Sequence, residues 1–520
     1  MKKNSSVIRM LISFFSLLIA MAATAQEAPM FCREFRVGNG ARPVVAALAN
    51  GNFVICWAGE YQHIFGRIFD KNGNSISSDF QVSTTNSERE SEPRIAALKN
   101  GNFIVCWGVY KEEPNKNADI YAQRIAADGT KIGEEFIPCA NPELHLGQNW
   151  CDAAGLNNGD FVIVWESQEE DGWSGGLFGQ RFSGDGEHLG EQFQLNSFPE
   201  VADERLVNVA PYGEDGFVAV WHRRWKNCQS RISHEEIGFQ RFDAANSPVW
   251  VEKTIHSREI HSDCKPDLCS LEDGSVIVCW YSYAGVPDQY IWAQQFDENG
   301  NEPGPVFQVN DANSRGAIEQ CIAALNSGEF VVLWRNGREE RAEGGTQQVL
   351  DIYGQLFDSA TEKVSEVFRI NSISDVTLRY NLPHATALGD SGFVVVFQEM
   401  WSGIHCKVFS TDSIDVASNE DDTLPVTFIL HEGFPNPFRQ RIQMKYELPE
   451  RSGYYFVRIK IFNSIGRLVK TLFSNFQTFG FHEIEWDGTD SDGSCVSNGI
   501  YFCHMAVNDV KKTTKFTFLH

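Results

Sequence analysis

Apolar and polar residues alternate along this chain in the period-two manner of β-strands, and the alternation repeats itself. The heptapeptide GNFVICW at Gly51 to Trp57 returns as GNFIVCW at Gly101 to Trp107. Five relatives follow: GDFVIVW ending at Trp165, DGFVAVW at Trp221, GSVIVCW at Trp280, GEFVVLW at Trp334 and SGFVVVF at Phe397. Successive copies lie 50 to 63 residues apart, a period that signals a stacked or radial array of identical units. In GNFIVCW, Phe103, Val105 and Trp107 share one face while Ile104 and Cys106 share the other. Both faces are apolar, so each strand must be covered on two sides.

Each unit holds three more strand-type runs in fixed order. A run rich in small residues precedes the heptapeptide, as in PRIAAL (Pro93 to Leu98), CIAAL (Cys321 to Leu325) and PHATAL (Pro383 to Leu388). After it comes IFGRIFD (Ile64 to Asp70) and its relatives, ending with the degenerate IHCKVFS (Ile404 to Ser410), and an FQVN-like run closes the unit. Four short strands per unit predict a four-stranded blade, with the small residues crowding toward an axis and the mixed FQVN run at the outer edge. One FQVN-like run, EFRVG at Glu34 to Gly38, precedes the first heptapeptide, and none follows the seventh. An N-terminal strand is therefore expected to complete the last blade and bury two open edges. The predicted fold class is all-β, a seven-bladed β-propeller over residues 26–410, in preference to an open solenoid or a row of small sandwiches. The units resemble secreted bacterial propellers in fold alone, without a WD pair, a kelch double glycine or a sialidase-type Asp box.

Residues 411–425, TDSIDVASNEDDTLP, are acidic and poor in apolar residues, and read as a linker. Residues 426–520 change character: alternating strands are punctuated by Pro-Asn-Pro, Ser-Ile-Gly, Asp-Gly and Asn-Gly, which predicts a small Ig-like β-sandwich. In order they carry Pro435-Asn436-Pro437-Phe438, Ile461-Phe462-Asn463 with Gly466, Trp486-Asp487-Gly488 and Asn498-Gly499-Ile500-Tyr501. This set resembles the type A C-terminal sorting domain of the type IX secretion system. The resemblance implies the type IX secretion machinery as a partner, passage through the outer membrane, and then release or attachment at the cell surface. Cys503 departs from the aromatic or aliphatic residue more usual in that family; either a hairpin disulfide to Cys495 or two unpaired thiols would fit.

The N-terminus agrees with export. Lys2, Lys3 and Arg9 lead an apolar run from Met10 to Ala20, and Ala23-Thr24-Ala25 offers a small-x-small cleavage site, so residues 1–25 read as a signal peptide. No second long apolar run follows, and no transmembrane span is expected. Sixty-nine acidic against 44 basic residues give a formal net charge of −25, which disfavours nucleic acid and anionic lipid as partners. Thirteen cysteines cannot all pair within the chain. Cys56, Cys106 and Cys279, each just before a repeat Trp, read as buried thiols.

The links into the heptapeptide and after the FD strand are tight Gly turns, whereas those after Trp and after FQVN are long and variable. Both long links emerge at one edge of a meandering blade, so one face of the disc is expected to carry the binding site. Candidate ligand-binding residues on that face are Glu166, Trp173, His222, Arg224, Trp225, Tyr281, Tyr283, Arg335, Glu399 and Trp401. Aromatic rings beside carboxylates and guanidinium groups suit a sugar, which offers apolar faces and hydroxyls. Hence the expectation is a secreted or surface-held binding module for an extracellular glycan or protein. The alternatives are a glycan-active hydrolase or lyase, with Glu166 and Glu399 or His222 as acid and base, and a structural or adhesive surface component. No catalytic residue is assigned, since P-loops, nucleophile elbows and zincin helices are all missing. No cofactor is expected. His256, His261, Cys264 and Cys269 have ligand-like spacing, but Cys269 falls in an inner-strand pattern, where a disulfide to Cys264 or Cys228 competes with metal. Asp487, Asp490 and Asp492 suggest turn aspartates more than a calcium loop.

Overall fold

In the computed structural model every regular element among the described residues is a β-strand. The described residues run from Phe31 to Leu519 except for 411–427, parts of the long connections such as 226–234 and 256–264, and a few short turns. Residues 1–30 are also outside the described set, so the expected signal peptide and the linker both fall beyond it. Among the described residues no helix is long and apolar enough to cross a membrane.

Residues 31–410 form seven four-stranded antiparallel sheets. Six are consecutive meanders; the first runs Ala41–Ala47, Phe53–Ala58, Ile64–Phe69 and Phe80–Gln81. The seventh takes Tyr380–Leu388, Gly392–Glu399 and Gly403–Ser410, and its outer strand is Phe31–Gly38 from the start of the propeller. The closure expected from the surplus N-terminal run is present, and it leaves no broken blade at the seam.

Each heptapeptide strand is covered on both faces, as its pattern requires. Phe103, Val105 and Trp107 pack with Val44 and Cys56 of the first blade, while Ile104 and Cys106 pack with Ala153, Ile163 and Trp165 of the third. The core that joins Val394, Val396 and Val408 of the last blade to Val45, Ile55 and Trp57 of the first closes the ring. Small residues at the hub follow from the spacing there: a Cβ on Gly155 would stand 2.0 Å from the carbonyl oxygen of Ala97 in the neighbouring blade.

Most polar residues shared by the repeats serve the blade itself, because backbone groups buried between sheets need partners. Gln123, Gln180, Gln240 and Gln294 each donate their side-chain amide to the carbonyl ten residues on, at 2.7 to 3.4 Å. Ser83, Asn196, Asn310 and Asn371 accept from an N–H of the third strand, those of Ile64, Leu177, Ile291 and Ile352, at 2.8 to 3.1 Å. Asp70, Asp243, Asp297 and Asp358 accept from the N–H groups two and four residues ahead and so fix the tight turns. Cys56, Cys106 and Cys279 are buried and unpaired, and burial pushes their thiols up. Cys269 is an unpaired thiol in the innermost strand Asp267–Ser270, not half of a disulfide.

Past the propeller, a three-stranded and a four-stranded sheet enclose a core that includes Phe438, Met444, Ile459, Trp486 and Phe516. This is the expected sandwich. Its motif residues hold the chain: Asn436, between Pro435 and Pro437, accepts from Thr517 N–H at 2.9 Å, and Phe438 lies 5.5 Å from the Trp486 ring. The Trp486 indole N–H donates to Thr489 O at 2.8 Å. Gly466 and Gly488 take φ of +80° and +72° at turns, Gly499 opens the strand Gly499–Val507, and the Tyr501 hydroxyl donates to Ser497 O at 2.7 Å. Asp487 and Asp490 accept from Thr489 and Ser494, as turn aspartates do; Asp492 lies outside the described residues. Cys503 is buried and Cys495 is exposed, and no hairpin disulfide links them.

Candidate functional site: the propeller hub

Near the long-connection end, six of the seven innermost strands slip register against their neighbour, at Ala41/Val44, Ser91/Arg94, Asn149/Cys151, Arg205/Asn208, Ile318/Cys321 and Asn381/His384. The residue at each slip has a left-handed backbone: Arg42 (+54°), Glu92 (+60°), Trp150 (+47°), Leu206 (+57°), Glu319 (+55°) and Leu382 (+51°). The fifth blade has Lys265 at the corresponding place. Such a φ costs a non-glycine residue about 1–3 kcal/mol, and a bulge of this kind re-aims a side chain. All seven side chains line one central cavity of about 350 Å³.

Two residues further along each strand lies a second ring, which ties the blades together. The inner edge of these strands has no neighbouring strand, so its N–H groups look to side chains. Asp152 accepts from Val209 N–H at 2.9 Å and Asp267 from Ile322 N–H at 3.0 Å. Asn208 donates to Pro266 O at 2.6 Å. His384 Nδ1 accepts from Val45 N–H at 3.3 Å, linking the last blade to the first.

Enclosure sets the charges here. Desolvation raises Asp152 to about 6 despite the attraction of Arg94, whose Nε lies 4.0 Å away. Desolvation likewise raises Asp267 to about 6, against the hydrogen bonds from Ile322 and Leu268. Burial lowers His384 to about 3, so its imidazole is neutral at physiological pH, with Nδ1 accepting and the proton on Nε2. At the mouth, Arg42 pairs with Glu92 across a blade boundary. Glu319 takes Arg335 Nε at 3.3 Å and Leu382 N–H at 3.2 Å. Trp150 has the Arg94 guanidinium 5.9 Å and the Lys265 ammonium 5.4 Å from its ring centre.

Of the residues expected to form the site, Glu166, His222, Arg224, Trp225, Tyr281, Tyr283, Arg335 and Glu399 sit on the strand next to this one. Glu166, His222 and Tyr281 are only 7, 6 and 9 % exposed, which corrects their reading as open loop-face groups. The strand is still paired on both sides where it follows the repeat Trp, so these side chains turn into the blades. Tyr281 joins the core between the fifth and sixth blades, and His222 Nε2 faces Glu235 at 3.5 Å. Arg224 is exposed, 3.9 Å from Glu235, and Arg335 reaches the hub through Glu319. Glu399 contacts His405 Nε2 at 2.9 Å within its own blade. Glu166 and Glu399 belong to the third and seventh blades, which are not neighbours, and neither lines the cavity. Tyr283 and Trp225 end their strands with side chains outside the described residues, as are Trp173, Trp401, His256, His261 and Cys264. The hub residues were missed, although the sequence held a signal: just before each small-residue run, the corresponding position reads Arg, Glu, Trp, Leu, Lys, Glu and Leu from blade to blade.

Residues 439–509 match the FlgD Ig-like domain family, in keeping with the C-terminal sandwich. No curated protein matches the chain. Among solved structures, the chain is similar to a protein of unknown function from Dyadobacter fermentans DSM 18053, with TM-score 0.43 and 10% identity over 73% of this chain and 99% of that one. It is also similar to a polysaccharide lyase, the PL25 ulvan lyase bound to -[GlcA(1-4)Rha3S]-, with TM-score 0.48 and 10% identity over 72% and 95% of the two chains. A third is the alpha-L-arabinanase of Penicillium chrysogenum complexed with arabinobiose, with TM-score 0.41 and 11% identity over 61% and 92%. These are similarities of fold.

Proposed function

We propose that the propeller is an extracellular binding module that takes a saccharide at its hub, and that the last domain is a type IX sorting domain directing it to the outside of the cell. The observation that carries the first part is the mouth ring. At six positions the backbone adopts a conformation for which glycine is cheapest, yet none is glycine and no two neighbouring blades agree in chemistry. Repeats that match along their buried strands for structural reasons diverge where their side chains converge on a cavity. Binding to a panel of oligosaccharides, read by calorimetry, tests it: loss of saturable binding in Trp150→Ala and Glu319→Gln is expected, and binding indifferent to both would refute the hub as the site.

Support for the sorting reading comes from the ordered motif of residues 435–501 and the sandwich it builds. A chain ending at Pro425 should stay inside the native host, and its arrival at the surface would refute that part.

A second reading is favoured by Asp152 and Asp267. Two carboxyls raised to about 6 in one cavity are suited to donating and accepting protons near neutral pH, so the same hub would serve a glycan hydrolase or lyase. Turnover of any oligosaccharide that Asp267→Asn abolishes would establish catalysis over binding alone.

A further inference from the structure

We propose that the outer face of the four-stranded sheet in the C-terminal sandwich docks on the acidic tight-turn face of the propeller of the same chain. Residues 426–520 hold eleven basic and nine acidic residues, whereas the rest of the chain holds 33 and 60. Within the sandwich the two signs separate. The strands Tyr454–Asn463, Leu468–Thr478, Gly499–Val507 and Val510–Phe518 form one sheet and carry six Lys and Arg but no Asp or Glu. Val457, Ile459, Ile461, Cys503 and Met505 fill the core, so alternation puts Lys460, Phe462, Phe502 and His504 on the other face. There Lys460 is level with His504, and Phe462 with Phe502 and Lys515. Arg458 and Lys511 fall in the next row, level with Ala506. At the edges Lys470 turns to Asp487 and Lys512 to the carbonyl of Phe428. The Phe462 and His504 rings lie 4.7 Å apart, and this aromatic strip gives the basic face apolar area to bury as well as charge to match.

The complement lies on the propeller. Five-residue turns join first to second and third to fourth strands at one face of the disc, and together they hold sixteen Asp and Glu against Lys71 and Lys99. Thirteen of the sixteen belong to the third to sixth blades, where Glu187, Glu214, Glu272, Asp273 and Glu298 are exposed. Arg124, Arg181 and Arg241 reach these turns and bond to the carbonyl oxygens of Gly184, Ala244 and Glu298 in the next blade, too few to balance the face. Hydrogen bonds from backbone N–H groups hold the Asp128 and Asp297 carboxyls below their ordinary value, which keeps them charged. The connection between the domains ends at both surfaces. Ser410 leaves the propeller beside the tight turns, one residue past Phe409, which pairs with Phe393 just after the turn Leu388–Gly392. Phe428 enters the sandwich beside Val510–Phe518, an edge of the basic sheet. The 17 residues between them reach at most about 60 Å, against a radius of gyration of about 21 Å for a compact domain of this propeller's length. Docking is then an intramolecular step at an effective concentration of about a millimolar. The hub mouth lies at the opposite, long-connection face, so this inference stands whether or not the hub takes a saccharide.

The test is zero-length carbodiimide cross-linking of the full chain, mapped by peptide mass spectrometry, at about 0.1 M and about 1 M salt, where the screening length is about 10 and 3 Å. Amides from Lys460, Lys511 or Lys515 to turn carboxyls such as Glu214, Asp273 and Glu298 are expected at low salt, with a loss of about tenfold at high salt. Lys460→Glu with Lys515→Glu should also remove the links of Lys511, which it leaves in place, without shifting either thermal unfolding transition. Glu272→Lys with Glu298→Lys, which leaves the sandwich untouched, should weaken the links to Glu214 and Asp273. In a mixture of ordinary and isotope-labelled chains the links should stay within one chain; links between the two kinds in their place would overturn the inference in favour of a second copy. Links that end instead on the acids of residues 411–425 would overturn it by putting the connecting segment on the basic face. Links unchanged by salt and by both charge reversals, or no link from these lysines, would overturn it outright.

Discussion

Replacing Asp267 by Asn should change the stability of the propeller in opposite directions at acid and neutral pH. The native carboxyl titrates at about 6 against an ordinary value of 3.8, so between those values the folded protein holds a proton that the unfolded chain has released. Stability must then fall as pH rises from about 4 to about 6. Two pKa units correspond to about 3 kcal/mol at pH 7, a ceiling because Asp267 is only partly buried at the cavity wall. Asn removes that penalty but has one acceptor oxygen where Asp uses two, one for Ile322 N–H at 3.0 Å and one for Leu268 N–H at 2.9 Å; losing one bond costs about 1 kcal/mol. The variant should therefore be about 1 kcal/mol less stable than the parent at pH 4 and about 1–2 kcal/mol more stable at pH 7. Urea unfolding followed by the fluorescence of the buried repeat tryptophans, at pH 4, 5, 6 and 7, measures this. A constant difference across that range would refute the argument that burial loads the Asp267 carboxyl.

Three further outcomes follow from other contacts. Gly155→Val should destabilise the propeller by about 3 kcal/mol or more, since the new Cβ meets a carbonyl oxygen at 2.0 Å and neither backbone has room to yield; thermal unfolding of the variant measures it. His384 has the opposite pH sign to Asp267: it stays neutral in the fold down to about 3 against an ordinary 6.5, so the unfolded chain takes up the proton first and stability falls as pH drops through that window. The loss reaches about 5 kcal/mol as a ceiling, and His384→Asn should flatten the acid limb of a melting-temperature profile between pH 7 and 4. Tyr501→Phe, which deletes the hydroxyl bonded to Ser497 O at 2.7 Å, should lower the unfolding transition of the second domain by about 1 kcal/mol and leave the propeller transition in place.

How far the fold could be read in advance depended on how local its causes are. Phe103, Val105 and Trp107 against Ile104 and Cys106 declare a strand covered on both faces, because side-chain direction in a strand alternates with every residue. The surplus run at Glu34 to Gly38 declared the seam between the seventh and first blades, because an unpaired edge demands a partner. The expected site did not transfer in the same way. Tyr281 looks like an exposed loop aromatic until the sixth blade covers it, and Glu166 looks like a free carboxylate until its blade neighbours enclose it.

The repeat, the strand pattern within each unit and the turn chemistry of the C-terminal sandwich were thus determined by the sequence alone, because each rests on residues within one blade or one hairpin. The hub was decided only by tertiary structure. Arg42, Glu92, Trp150, Leu206, Lys265, Glu319 and Leu382 are separated by whole blades along the chain. They come to line one cavity because ring closure brings seven inner strands around an axis and a left-handed turn in six of them aims the side chains inward. The same closure removes water from Asp152, Asp267 and His384, and their unusual protonation follows from that desolvation, which no stretch of sequence contains.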